Sequence, residues 1–269
     1  MTARTVSLRS RSADGEPLTA TRDDWDHGRI AVVICDMWDT TQCVSAARRV
    51  AEMAPRVNEV VARLRQDGAL IVHAPAGCME YYAGTPARER ARRAPADHSP
   101  VPVDWRDWDA AREAPLPPTL SDDTPCSCEP GEPCTKGGPP YPWTHQIESI
   151  EISLADAVTD DGNELLALLA ERGIEDVVVM GVHANRCVLG RPYGIRQLVY
   201  SRKRPVLCRD LTDSYHRDPR GHAWGNEQMF AHIERYWCPT LTSNQLVGGT
   251  PFQFQAITWW TAVTPDDWR

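Results

Sequence analysis

The chain has 269 residues, and its 29 basic against 37 acidic residues give a net charge of −8. That length fits a single α/β unit with insertions, and the acidic balance argues against a nucleic-acid backbone or an anionic membrane surface as partner, leaving small molecules. No stretch approaches the roughly 18 apolar residues of a membrane span, and residues 1–28 lack the apolar region of a signal peptide, so a cytoplasmic protein is expected.

The first element is "RIAVVICDMWD", a continuous apolar run from Ile30 to Cys35 that ends in Asp36, as suits a strand covered on both faces. Val50, Met53, Val57, Val60, Val61 and Leu64 then recur at helical spacing, with Gly68 closing the helix. "ALIVHAPAG" is the second strand, so strand, helix and strand make a βαβ unit and imply a parallel sheet. From about 95 to 142 the pattern dissolves into Pro, Gly, Asp, Trp and Cys; this is an insertion, expected to act as a lid or binding loop or to be mobile.

Regular structure resumes with "SIEIS" as third strand, a helix over 161–171 capped by Gly173, and "DVVVMGV" as fourth strand. "VLGRPYGIRQLVYS" follows as helix, "RPVLCRDL" as fifth strand, and a helix over 222–236 precedes the short apolar "PTLTS". The expected fold is a three-layer α/β/α, Rossmann-like, doubly wound and mostly parallel sheet of about six strands, with its site at the carboxyl ends of the strands. We expect one domain over 1–269, with the insertion at 95–142 and a Trp-rich tail at 249–269 that lies outside the repeat.

Asp36 ends the first strand and Cys187 follows the fourth, so both belong to one rim of such a sheet. A cysteine at a helix start is biased towards thiolate, and a nearby carboxylate can take its proton. Each residue alone also has a plainer use, Asp36 as a turn former and Cys187 as a small core residue.

"AVVICDMWD", "GIEDVVVMGVHANRCVLGRPYGIRQLVYS" and "RPVLCRDLTDS" together resemble the isochorismatase-like cysteine hydrolases, which include nicotinamidases and N-carbamoyl amide hydrolases, over residues 28–94 and 147–243. The resemblance implies hydrolysis of a non-peptide C–N bond of an amide, ureide or lactam through a thioester-type intermediate. It implies Asp36 as general base, Cys187 as nucleophile, a cis peptide between Val182 and His183, and an oxyanion hole from the backbone N–H groups of His183 and Cys187. It also leans towards a homo-oligomer. No cofactor is implied for the reaction, and the D-x-H metal motif of nicotinamidases is absent.

The sequence departs from that pattern at the family's lysine after the third strand. The chain has two lysines; Lys203 comes too late, and Lys136 reaches the site if the inserted loop folds over it. Placing "SIEIS" on the third strand puts Glu151, or else Ile152, at the lysine position. Two carboxylates sharing a pocket would make one a proton donor; alternatively the pair binds a cation, or Glu151 is an ordinary rim carboxylate paired with an arginine. Arg186, beside the nucleophile, is a further source of positive charge.

Cys126, Cys128 and Cys134, with His98 or His145, could form a structural zinc site, against free thiols or a labile disulfide. Trp38, Trp105, Trp108 and Trp143 either line a pocket for a flat substrate or pack in core and loop, and His73 faces the rim or satisfies a carbonyl. A competing reading is a scaffold that has lost its lysine and binds a ligand or oligomerises.

Overall fold

The computed structural model describes residues 4–95, 99–121, 127 and 141–255. An N-terminal hairpin of β1 (Arg4–Arg11) and β2 (Pro17–Trp25) leads into β3 (Ile30–Cys35), α1 (Val44–Gln66), β4 (Leu70–Ala74) and α2 (Pro86–Arg93). After the insertion come β5 (Ala157–Val158), α3 (Gly162–Glu171), β6 (Asp176–Val182), α4 (Ile195–Tyr200), β7 (Arg204–Asp213), α5 (His222–Tyr236), β8 (Thr240–Leu241) and α6 (Asn244–Val247). They form one eight-stranded sheet in the order β2-β1-β8-β7-β6-β3-β4-β5. From β8 to β5 all neighbours are parallel, while the hairpin is antiparallel within itself and against β8.

The apolar run of β3 explains its central place. Every residue from Ile30 to Cys35 is buried; Ala31, Val33 and Cys35 join the core on one face, and Ile30, Val32 and Ile34 join α1 on the other. The chain winds outward from β3 through β4 to β5, then returns to β6 and winds the opposite way. The order therefore reverses between β3 and β6, whose carboxyl ends flank the crevice where ligands of such sheets bind. Both Asp36 and Cys187 lie just beyond these two ends.

Three expectations are corrected. "SIEIS" is not a strand: residues 149–153 are irregular, and the third parallel strand is the two-residue β5. The alternation of Ile150 and Ile152 imitates a half-buried strand, but Asp156 turns the chain first by accepting from the Ser153 amide at 2.7 Å and from Arg65. The hairpin escaped notice because β2 is almost wholly exposed and carries no apolar pattern.

The helix expected from Val188 is also broken. A π-turn, Ala184–Val188, runs on helically only to Gly190, and irregular chain follows before α4 begins at Ile195. Pro192 lacks an amide hydrogen and ends the helical run there. That break turns Arg191 and Tyr193 towards Asp36, as described below.

Gly181 sits beside Cys35 in the β3–β6 pairing with φ of +113°, and a Cβ there would lie 2.1 Å from the Cys35 carbonyl oxygen. Gly173 also has positive φ, at +61°, but open space around it. Gly181→Ala is expected to cost at least about 3 kcal/mol in urea unfolding, whereas Gly173→Ala costs about 1 kcal/mol from backbone conformation alone.

Candidate active site

Asp36 leaves β3 in the left-handed region, at φ of +50°, a conformation that aspartate tolerates better than most residues. This turn places a fully buried carboxylate in the crevice. Its Oδ1 accepts from the Ala76 amide at 2.8 Å and the Tyr193 hydroxyl at 3.0 Å, and its Oδ2 accepts from Arg191 Nε at 3.2 Å. Cys187 and this carboxylate lie close enough to shift each other's titration, so the two residues share the crevice.

The peptide between Val182 and His183 is cis, at the position expected from the resemblance. The following π-turn closes when the amides of Arg186 and Val188 both donate to the His183 carbonyl. Neither bond uses the N–H of His183 or of Cys187, the two groups expected to form an oxyanion hole.

The electrostatics favour a neutral thiol at rest. Burial, reinforced by the charge of Asp36, pushes the Cys187 thiol well above its ordinary range, and Arg191 opposes that shift. Burial also raises the Asp36 carboxyl, against the lowering effect of Arg191 and of the hydrogen bonds it accepts. A proton moving from sulfur to carboxylate thus stays within a pair that one guanidinium faces throughout. At an effective dielectric of about 20, a charge pair some 4 Å apart is worth about 4 kcal/mol, enough to keep such a buried anion viable.

Arg191 is the cation that the sequence reading missed. It lies four residues after Cys187, and its amide donates to the Cys187 carbonyl, a one-turn spacing that brings both side chains to one face. The signal in the sequence is C-x3-R, whereas the family pattern points to the third strand for its cation. There, Thr159 and Asp160 follow β5, and the Asp160 carboxylate accepts from the Gly77 amide.

Glu151 does not occupy the lysine position. Its side chain is exposed, and its backbone is tied to Asn58 and Arg65 of α1, because the strand assigned around it does not exist. Lys136, Cys126, Cys128, Cys134 and His98 lie outside the described residues. His145, a proposed fourth zinc ligand, bonds Thr144 and stacks on Tyr81. Among the described residues no cluster of His, Cys, Asp and Glu is placed to hold a metal, and no helix is long and apolar enough to cross a membrane.

A cavity of about 610 Å³ opens above Cys187. Trp38, Trp105 and Trp143 line it with Tyr141 and Tyr215, whereas Trp108 does not and instead donates to the Glu113 carbonyl. Trp38 and Trp143 stack with centroids 4.1 Å apart, and both indole N–H groups donate to the Ala76 carbonyl at 3.1 Å. Each therefore presents an apolar surface to the cavity. Arg186 also lines it, with its guanidinium 4.5 Å from the Tyr215 ring. His73 is buried between Gln146 and Asp156 and takes no part.

His183, which lines the cavity, and His216 are both buried and neutral. Burial lowers each to about 3, while Asp213, held by Arg49 and His222, pulls the other way.

No protein-family model matches the sequence, and no curated protein matches it. Solved structures do. A cysteine hydrolase from Pseudomonas syringae pv. phaseolicola aligns over 83% of this chain and 93% of its own, with TM-score 0.50 and 13% identity. An isochorismatase from Pseudomonas putida aligns over 81% and 90%, with TM-score 0.47 and 13% identity. N-carbamoylsarcosine amidase from Thermoplasma acidophilum aligns over 77% and 92%, with TM-score 0.41 and 14% identity. The first of these shows that the chain has the isochorismatase-like α/β fold, and at that identity the likeness is one of fold.

Two outcomes follow. Arg191→Ala slows alkylation of Cys187 by iodoacetamide about tenfold at fixed pH, and shifts its pH profile upward by about one unit, as read by mass spectrometry of the Cys187 peptide. Separately, a histidine whose folded value is depressed contributes stability above its unfolded value and loses it as pH falls towards the folded one. For His183 and His216 that window runs from 6.5 down to about 3, so urea unfolding at pH 5 shows a loss of about 2 kcal/mol per histidine relative to pH 7, and His216→Gln removes about half of it.

Proposed function

We propose that the chain is a cysteine-dependent hydrolase acting on a non-peptide C–N bond of an amide, ureide or lactam in a small molecule. The observation that carries this reading is that Cys187 and Arg191 line one cavity and that Arg191 there pairs with the buried Asp36, beside the switch point of the sheet.

The chemistry follows from the arrangement. Asp36 accepts the thiol proton as sulfur attacks the carbonyl carbon, and the negative charge that builds on oxygen is met by the backbone N–H groups of His183 and Cys187. Fixed donors of this kind contribute about 3 kcal/mol each. Asp36, now protonated, gives its proton to the departing nitrogen as the C–N bond breaks and a thioester forms. Water then attacks the thioester with Asp36 as base, releasing the acid and restoring the thiol. Arg191 faces the negative charge in each state, and the steps use only groups of the chain and water.

The resting state supports the order of events. A thiol held neutral does not react until substrate displaces water and brings its carbon to the sulfur, so proton transfer and attack are coupled. The tryptophan walls and the volume of the cavity suit a drug-sized or smaller molecule.

The third-strand departure favours a second reading, a ligand-binding scaffold on the same fold, since Thr159 and Asp160 follow β5 where the family pattern has lysine. The two readings part at Cys187. In a panel of amides, ureides and lactams, hydrolysis is expected, with Cys187→Ala and Asp36→Asn each lowering kcat at least about a thousandfold, and with an acyl adduct on Cys187 seen by mass spectrometry of quenched reactions. Full turnover in Cys187→Ala ends the nucleophile assignment; an inert thiol and no turnover across the panel favour the binder.

A further inference from the structure

The inserted segment before residue 121 reaches the candidate active site at one point, Trp105. Its ring lies on the backbone of Gly190, where a Cβ would stand 2.8 Å and 2.9 Å from two of its carbons and 3.2 Å from the Arg106 carbonyl oxygen. Only a glycine lets the indole settle there. The seat is fastened on both sides: the Arg106 amide donates to the Gly190 carbonyl at 2.7 Å, the Arg106 side chain donates to Gln197 at 2.7 Å, and Arg196 donates to the Arg106 carbonyl at 3.0 Å.

The residue after Gly190 is Arg191. Its guanidinium lies 5.5 Å from the Trp105 ring centroid, within cation–π range. Towards the floor, Nε donates to Asp36 and the side chain contacts Cys187. Beyond these two residues it has no other hydrogen-bonding partner among the described residues, and about a quarter of the side chain is exposed, at 27%. A long, partly solvated arginine with one firm anchor has many rotamers open to it. The indole closes off those that lead into solvent, and Trp105 is itself oriented by the bond from its Nε1 to Asp107 at 2.8 Å.

We propose that Trp105 is a positioning residue of the site: seated on Gly190, it holds Arg191 against Asp36 and Cys187, so that the inserted segment completes the charge arrangement around the thiol. The inference rests on Cys187 being the reactive thiol, and its test does not require a substrate.

The probe is iodoacetamide, with alkylation of the Cys187 peptide followed across pH in the full chain. Trp105→Ala slows alkylation about threefold at fixed pH and moves the profile upward, while Trp105→Phe, which keeps an aromatic face, stays near the parent rate. Gly190→Ala, which displaces the ring without removing it, reproduces the Trp105→Ala profile. In an Arg191→Ala background, Trp105→Ala adds nothing, as expected for a residue that acts through Arg191. An unchanged profile in Trp105→Ala, or an equal further loss on top of Arg191→Ala, overturns the proposal. Alkylation that depends on Trp105 and Arg191, in a protein that hydrolyses nothing in the panel, leaves this inference standing and removes the hydrolase reading instead.

Discussion

A carboxylate removed wholly from water dictates most of what surrounds it. Asp36 has no solvent contact, and an isolated anion in such a place would lose its proton-acceptor role by neutralising. The chain answers with an amide from the loop after β4 and with a hydroxyl and a guanidinium from the broken helix after β6. Those donors come from both sides of the crevice, so the switch point of the sheet is where one charge can be satisfied by two halves of the fold. Gly181 serves the same end by letting β6 pass the Cys35 carbonyl without a side chain between them.

The insertion is held by a second buried acid. Glu113 accepts from His232 at 2.6 Å and Trp237 at 2.8 Å, and pairs with Arg196 at 2.7 Å, so a Pro-rich segment without regular structure is fixed to α4 and α5. Burial would raise this carboxyl, but the bonds from His232 and Trp237 and the charge of Arg196 outweigh it and hold it below the ordinary range. Glu113 and Trp105 thereby fasten the same stretch of chain, one to the scaffold and the other to the cavity wall.

Much of the framework was legible because continuous apolar runs declare strands buried on both faces. Ile30–Cys35 and Asp176–Val182 could be little else, and they are the strands that carry Asp36 and Cys187. The failures have physical causes as well. β5 has two residues, too short to impose a period, while the nearby Ile150 and Ile152 alternate by accident of a turn. In the hairpin β2 is almost wholly exposed and leaves no hydrophobic trace, and β1 offers the core only Val6 and Leu8. Arg191 is not marked by a family pattern that places its cation on another strand, and Arg186, the nearer arginine, instead lies over Tyr215. Glu151 inherited a role only from a misplaced strand. A side chain's direction past a proline break is a tertiary fact that local spacing cannot supply.

The place of Arg191 also bears on how such a site can be inherited. With Cys187 and Arg191 four residues apart on one turn, their spacing is set by local backbone geometry and is indifferent to the register of a distant strand. The third parallel strand is thereby released from any duty to aim a charged group. It can shrink to Ala157–Val158 without disturbing the balance of charge at the sulfur.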